Sequence, residues 1–216
     1  RYTRSFFHKE HLMPSLAIQY FDIPGGRGEP SRLALHIAGV PFEDKRISFP
    51  QWPATSKTLP LKQCPVLEVD GVAITQSNAI NRYVGKLTGL YPEDPYQALL
   101  CDEIMDAMED LTTKVVATFS IKETEELRAA REALIAGPIK KYLTFLEQRL
   151  ESAGGEYFAD KRLTMADLKV MMSVRQLVSG VLDHIPKDTV SYIAPTIMAH
   201  FQRIMDQPKI STHYAN

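Results

Sequence analysis

The 216-residue chain sets 25 Lys and Arg against 26 Asp and Glu, for a formal net charge of -1, and 44% of its residues are hydrophobic. That balance carries no polyanion-binding signature, so nucleic acid and anionic membrane are not expected as partners, and no apolar run approaches the roughly 20 residues needed to cross a bilayer. Two cysteines, Cys64 and Cys101, are too few for a disulfide scaffold and lack metal-ligand spacing, which points to a reducing, cytoplasmic setting.

Arg1–Leu12 is rich in Arg, His and aromatics and lacks a core period, so it reads as an extension ahead of a native start at Met13. Leu16–Phe21 then reads as a buried strand, closed by the turn residues Pro24, Gly25 and Gly26. Glu29–Ala38 has Leu33, Ala34 and Ile37 on one helical face and Gly39 as its stop. Phe42–Ser48 is expected to be a second strand, parallel to the first through that helical crossover. A loop-rich stretch from Phe49 to Gln63 contains Trp52 and room for a short helix. Val66–Val69 and Val72–Ile74 flank Asp70-Gly71, the signature of a two-residue hairpin turn, and Ser77–Leu87 reads as a closing helix. The order βαβ, connection, ββα matches a thioredoxin-like unit over residues 13–90.

Residues 91–95 read as a linker, and 96–216 as an all-helical domain. Leu100, Ile104, Met108, Leu111, Val115 and Phe119 recur at helical spacing and predict one long amphipathic helix. Leu134, Ile135, Ile139, Leu143, Leu146 and Leu150 predict a second, ended by Gly154-Gly155. Two more helices are expected from Met165 to about Leu182 and from Ala194 to about Met205, with a short tail after Pro208. Thr164 and Asp167 form a capping box with a Leu163–Leu168 staple, a folding signal rather than a catalytic one.

A thioredoxin-like unit with a redox role carries Cys-x-x-Cys after its first strand. Here that junction runs from Tyr20 to Glu29 without cysteine, which excludes dithiol exchange at this place. What remains is a tyrosine at a strand end, an arginine, and a glycine-rich turn feeding a helix N-terminus, which favours anions such as a thiolate. Tyr20 can equally be a core aromatic with a satisfied hydroxyl, and Ser77 a simple helix cap. Pro65 stands before a strand, where a cis bond after Cys64 would expose the backbone of Cys64, and Gln76-Ser77 opens a helix able to bind a small carboxylate.

Together, Tyr20-Phe21, Arg27-Gly28-Glu29, Trp52, Leu67-Glu68-Val69-Asp70-Gly71 and Gln76-Ser77 resemble the glutathione-binding domain of cytosolic glutathione transferases with a catalytic tyrosine. The likeness is nearest the sigma class, with pi and mu next. It implies glutathione as co-substrate, no required metal, small hydrophobic electrophiles, and a homodimer. Tyr20 takes the place of the tyrosine whose hydroxyl donates to glutathione sulfur. The resemblance assigns Trp52 with Lys57 (Ser56 in the strict alignment) to the glycyl end. It assigns Gln63, Cys64 and Pro65 to the peptide portion, and Gln76 and Ser77 to the γ-glutamyl carboxylate. It counts Phe21 among the glutathione contacts and gives Arg27 a role near the sulfur or in tying the domains together. Within the acidic group Asp102, Asp106, Glu109 and Asp110, Asp110 is expected to reach glutathione across the dimer, while Asp106, Glu109 and Asp110 also match a divalent-cation site of some sigma-class members. Cys64 itself reads as a small filler. The electrophile pocket is expected between the domains, walled by the turn after Tyr20, Met108 to Phe119, and the chain end near Tyr214. Peroxide reduction, an isomerase of the prostaglandin D synthase type, and a non-catalytic descendant remain the alternatives.

Overall fold

The computed structural model describes residues 13–215; the expected extension Arg1–Leu12 lies outside them. Four strands and two helices follow the expected order closely. β1 (Leu16–Phe21) leads through α1 (Glu29–Ala38) to β2 (Glu43–Ile47), and Gly39 ends α1 in the left-handed conformation at φ 67°. After a run of short helical turns that includes α2 (Trp52–Thr55) come β3 (Val66–Val69), β4 (Val72–Ile74) and α3 (Ser77–Thr88). The sheet order is β2-β1-β3-β4, with β1 parallel to β2 and antiparallel to β3, so the sheet is mixed. Asp70 and Gly71 both take positive φ, 49° and 81°, the hairpin geometry that the Asp-Gly dipeptide favours. β2, with sequence Glu-Asp-Lys-Arg-Ile, is an edge strand whose charges protect an otherwise unpaired backbone edge.

The helical part begins earlier than expected. Pro95 is the first residue of α4 (Pro95–Ala117), and the Asp94 carboxylate caps it by accepting from the N–H groups of Tyr96 and Gln97. The apolar stripe of α4 is buried from Cys101 to Val115, but Phe119 falls beyond the helix end and is 52% exposed, lying against the Arg131 guanidinium. α5 (Thr124–Leu134) was not expected, because its charged sequence gives little apolar period; Glu123 caps it. It runs through a π-helical turn, Ile135–Ile139, into α6 (Lys140–Ser152). Pro138 has no N–H to donate within the helix, and a wider turn accommodates that missing bond. α7 (Met165–Val178), α8 (Thr189–Ile193), α9 (Pro195–Met205) and α10 (Pro208–Ala215) complete the chain, so the expected tail is helical. Among the described residues no helix is long and apolar enough to cross a membrane.

One continuous core runs from Leu16 and Ile18 in the sheet to Ile204 and Ile210 at the end of the chain. The two parts meet without room for a side chain at Gly85 of α3, where an added Cβ would meet Met165 Cγ at 2.6 Å and Tyr91 Cβ at 3.0 Å. α7 is the centre of the helical part, and Asp167 holds its start. This wholly buried carboxylate accepts from the backbone N–H and hydroxyl of Thr164 and from the N–H of Phe158, and it bonds the His200 ring at 3.0 Å. Replacing Asp167 with Ala strands those donors in the core and removes a helix cap, so stability should fall by about 3 kcal/mol or more. Urea unfolding checks this; an unchanged midpoint would show that the box does not hold α7 in place.

Candidate active site

The residue at the end of β1 is shaped by what surrounds its ring. Tyr20 is 6% exposed and is covered by the turn ahead of α1. A Cβ on Gly26 would lie 2.4 Å from Tyr20 Oη, and one on Gly28 would lie 2.5 Å from Tyr20 Cγ, so only glycines allow the turn to close on the ring. Between them, the Arg27 backbone N–H donates to Tyr20 Oη at 2.9 Å. The oxygen is thus engaged as an acceptor and its own proton is left to donate elsewhere. Burial pushes the Tyr20 phenol up to about 12, so at neutral pH it is a hydrogen-bond donor and not a base. From below, Arg32 donates to the carbonyls of Tyr20 and Phe21 and to Asp44 Oδ1 at 2.7 Å, which anchors the strand end.

A cavity of about 640 Å³ opens beside this strand end, a volume suited to a small ligand. Phe21, Arg27, Trp52, Gln63, Cys64, Pro65, Gln76 and Ser77 all line it. The Cys64–Pro65 peptide is cis, and Phe21 packs against Trp52 at 4.9 Å between ring centres. Tyr20 stands behind this wall, joined to it through Phe21 and Arg27. Burial pushes the Cys64 thiol up to about 11, so it remains a protonated wall residue at neutral pH. Gln76 has φ 75° and ψ 105°, a conformation that costs a non-glycine residue about 1–3 kcal/mol and that recurs where structure serves function. It turns the chain from β4 into α3, whose first residues Ser77, Asn78 and Ala79 line the cavity with a helix N-terminus.

The helical part closes the cavity with charge. Glu109 of α4 accepts from Arg27 Nε at 2.5 Å, from Lys169 Nζ at 2.7 Å and from Ser77 Oγ at 3.1 Å. Burial works against ionisation of Glu109, but Lys169 and Arg27 outweigh it and hold its carboxyl below the usual value. Lys169 is drawn below the ordinary lysine value by burial, which Glu109 opposes. Asp106 also lines the cavity, tied to Asn78 Nδ2 at 2.6 Å and to Arg82 Nη2 at 3.0 Å. The contacts of Glu109 and Lys169 were not legible beforehand; the only signal was a lysine inside an otherwise apolar helix face.

Comparison with known proteins identifies the family. The model described as "Glutathione S-transferase, N-terminal domain" matches residues 16–86, and that described as "Glutathione S-transferase, C-terminal domain" matches residues 109–216. The chain belongs to the glutathione S-transferase family. It is 37% identical to Glutathione S-transferase 1 of Ascaris suum over 176 residues, covering 79% of this chain and 84% of that protein. Among solved structures it resembles prostaglandin synthase D of Nilaparvata lugens, with a TM-score of 0.82 at 30% identity, over 94% of this chain and 98% of the other. It also resembles the sigma class transferase of Fasciola hepatica, with a TM-score of 0.80 at 26% identity, over 94% and 96%.

For a glutathione transferase, several sequence-based placements come out differently from the rest, Tyr20 among them, since it is not one of the residues that line the cavity. Neither Lys57 nor Ser56 lines the cavity, and Lys57 is exposed. Asp110 is also exposed and outside the lining, with its carboxylate accepting from Tyr142 Oη at 3.2 Å. Within the stretch Met108 to Phe119, Met108, Leu111 and Val115 face the core at 1–3% exposure, while Glu109 and Thr113 from the other face of α4 line the cavity. Among the described residues no group of three or more His, Cys, Asp or Glu side chains is arranged to hold a metal. A second cavity of about 470 Å³, between the start of α4 and the end of α6, shares no residue with the first.

The raised value of Tyr20 has a direct spectroscopic consequence. The native protein and its Tyr20→Phe variant should form the same amount of tyrosinate up to about pH 10, the ordinary phenol value. Ultraviolet difference titration reads this. One extra tyrosinate in the native protein below that pH would mean that Tyr20 is acidic and acts as a base.

Proposed function

We propose that Tyr20 donates its hydroxyl proton in a hydrogen bond to the sulfur of glutathione bound in the 640 Å³ cavity, activating the thiol for attack on small hydrophobic electrophiles. The observation that carries this is the state of the hydroxyl. It is protonated well past neutral pH, and its oxygen is held by the Arg27 N–H, so a single donor is preset at the strand end. A free thiol near pKa 8.5 is mostly protonated at neutral pH, while the thiolate is the nucleophile. Lowering that value by two units takes roughly 2.7 kcal/mol of preferential thiolate stabilisation, within reach of a charge-assisted hydrogen bond supported by the adjacent helix N-terminus. The thiol proton leaves to solvent, the sulfur forms the new bond to carbon, and the leaving group departs with its bonding pair.

In this reading Gln76, Ser77 and the first amides of α3 hold the γ-glutamyl carboxylate. The backbone of Cys64 with Gln63 pairs with the peptide, and Trp52 bounds the glycyl end. Asp110, exposed and outside its own chain's cavity, serves the site of a second copy in a two-fold dimer. The protein acts in the cytoplasm. Likeness to the Nilaparvata lugens prostaglandin synthase supports a second reading, glutathione-dependent isomerisation, in which glutathione is regenerated. Turnover of such a substrate without net loss of thiol separates it from conjugation.

Tyr20→Phe keeps the ring and removes the one hydroxyl. Glutathione affinity should change little, while conjugation near neutral pH should fall by roughly 10–100-fold, the loss of ~1.4–2.7 kcal/mol. The deficit should narrow at alkaline pH, where the thiolate forms unaided. The pH profile of kcat/KM with a strong electrophile decides it, and superimposable profiles would move sulfur activation to Arg27 or the turn amides. Light scattering should give the mass of a dimer at micromolar concentration; a monomer would remove the role of Asp110.

A further inference from the structure

α7 is built as a core helix, yet it carries a cation in its buried face. Lys169 is 3% exposed and sits between Leu168 and Val170, both wholly buried. Packing alone does not call for an ammonium there, since an apolar side chain of similar length would fill the slot at no greater cost. Its donors are fully spent on the site: Glu109 Oε2 at 2.7 Å, Asn78 Oδ1 at 2.9 Å, and Ser77 Oγ at 3.5 Å. The other oxygen of Glu109 takes Arg27 Nε, and Arg27 in turn gives its backbone N–H to Tyr20 Oη. A continuous path therefore joins the centre of the helical part to the tyrosine hydroxyl.

We propose that Lys169 is a positioning residue for conjugation, keeping Glu109 an anion so that Glu109 holds Arg27, and with it the turn that fixes the Tyr20 hydroxyl. This rests on the reading of Tyr20 given above. The charged groups facing Glu109 are Arg27 from the turn and Lys169 from α7. Asp106 lies one turn earlier on α4, where it is paired with Arg82 of α3. With Lys169 gone, burial favours the protonated Glu109, and Arg27 with the Ser77 hydroxyl is left to oppose it. Once protonated, Glu109 no longer ion-pairs with Arg27, and the turn over Tyr20 loses its tie to α4. Arg27 also touches Thr113 Oγ1 at 3.3 Å, a neutral contact that cannot replace the ion pair.

The test measures kcat/KM with glutathione saturating across pH 5.5 to 8 for the native protein, Lys169→Met, Glu109→Gln and the double variant. The ratio of Lys169→Met to native activity should stay level near pH 8 and fall by roughly twofold or more on going to the acid end, because loss of the ammonium raises the carboxyl that must stay ionised. Glu109→Gln should be impaired at every pH. The double variant should show no acid-side loss beyond that of Glu109→Gln, because no carboxylate is left to titrate. A Lys169→Met profile parallel to the native one, with only a lowered Tm, overturns the proposal. If Lys169→Met does not fold, Glu109→Gln with native activity overturns it equally. Tyr20→Phe run alongside separates the two claims: a native profile for that variant sinks the tyrosine reading, whereas an impaired Tyr20→Phe beside a parallel Lys169→Met sinks this one alone.

Discussion

A fully buried guanidinium organises the end of the sheet beside the cavity. Arg32 has 0% exposure, and a charge in that position is tolerated only if its donors are met. They are met by the carbonyls of Tyr20 and Phe21, by Asp44 on the neighbouring strand, and by Glu29 one turn back on its own helix. Those partners are the strand end that carries the tyrosine, the parallel edge strand, and the start of the crossover helix. Moving any of them would unpair a charge in the core. The turn from Asp22 to Gly28 is thereby tied at both ends, and its glycines let it close over the ring so that the Arg27 amide reaches the hydroxyl.

The second tie is between the two parts of the molecule. Glu109 collects Arg27 and Ser77 from the sheet-bearing part and Lys169 from α7 on one carboxylate. Arg175 of α7 adds a bond to the Pro24 carbonyl and stacks 4.3 Å over the Tyr214 ring, so the same helix also touches the turn from its other side. Tyr214 and His213 close on the buried Glu29 at the start of α1. The site is therefore held by polar contacts across an otherwise apolar junction, where geometry is specified by a few directional bonds.

Much of this was legible in the chain. Alternating and helical periods locate the strands, α1, α3 and the long α4; Asp70-Gly71 marks the hairpin, and Thr164 with Asp167 marks the start of α7. α5 has no such signal because its charged residues leave no apolar stripe, and the helix expected from Leu134 to Leu150 runs through Pro138 because a π turn absorbs the proline. The acidic residues of α4 show the limit most clearly. Glu109 and Asp110 are neighbours in sequence, but successive helical residues point roughly 100° apart, so one enters the cavity and the other faces solvent and Tyr142.

By itself the sequence determined the order of elements from β1 to α4, the absence of a dithiol after β1, and most of the residues from Phe21 to Ser77 that line the cavity, because these depend on local period, turn chemistry and residue type. Only the tertiary structure decided which carboxylate of the acidic group meets Arg27, that Lys169 stands beneath it, and that the Tyr20 hydroxyl is sealed by an amide seven residues on. Those facts belong to contacts between segments 60 to 92 residues apart in the case of Lys169, and no local pattern encodes which distant charge will satisfy a buried one.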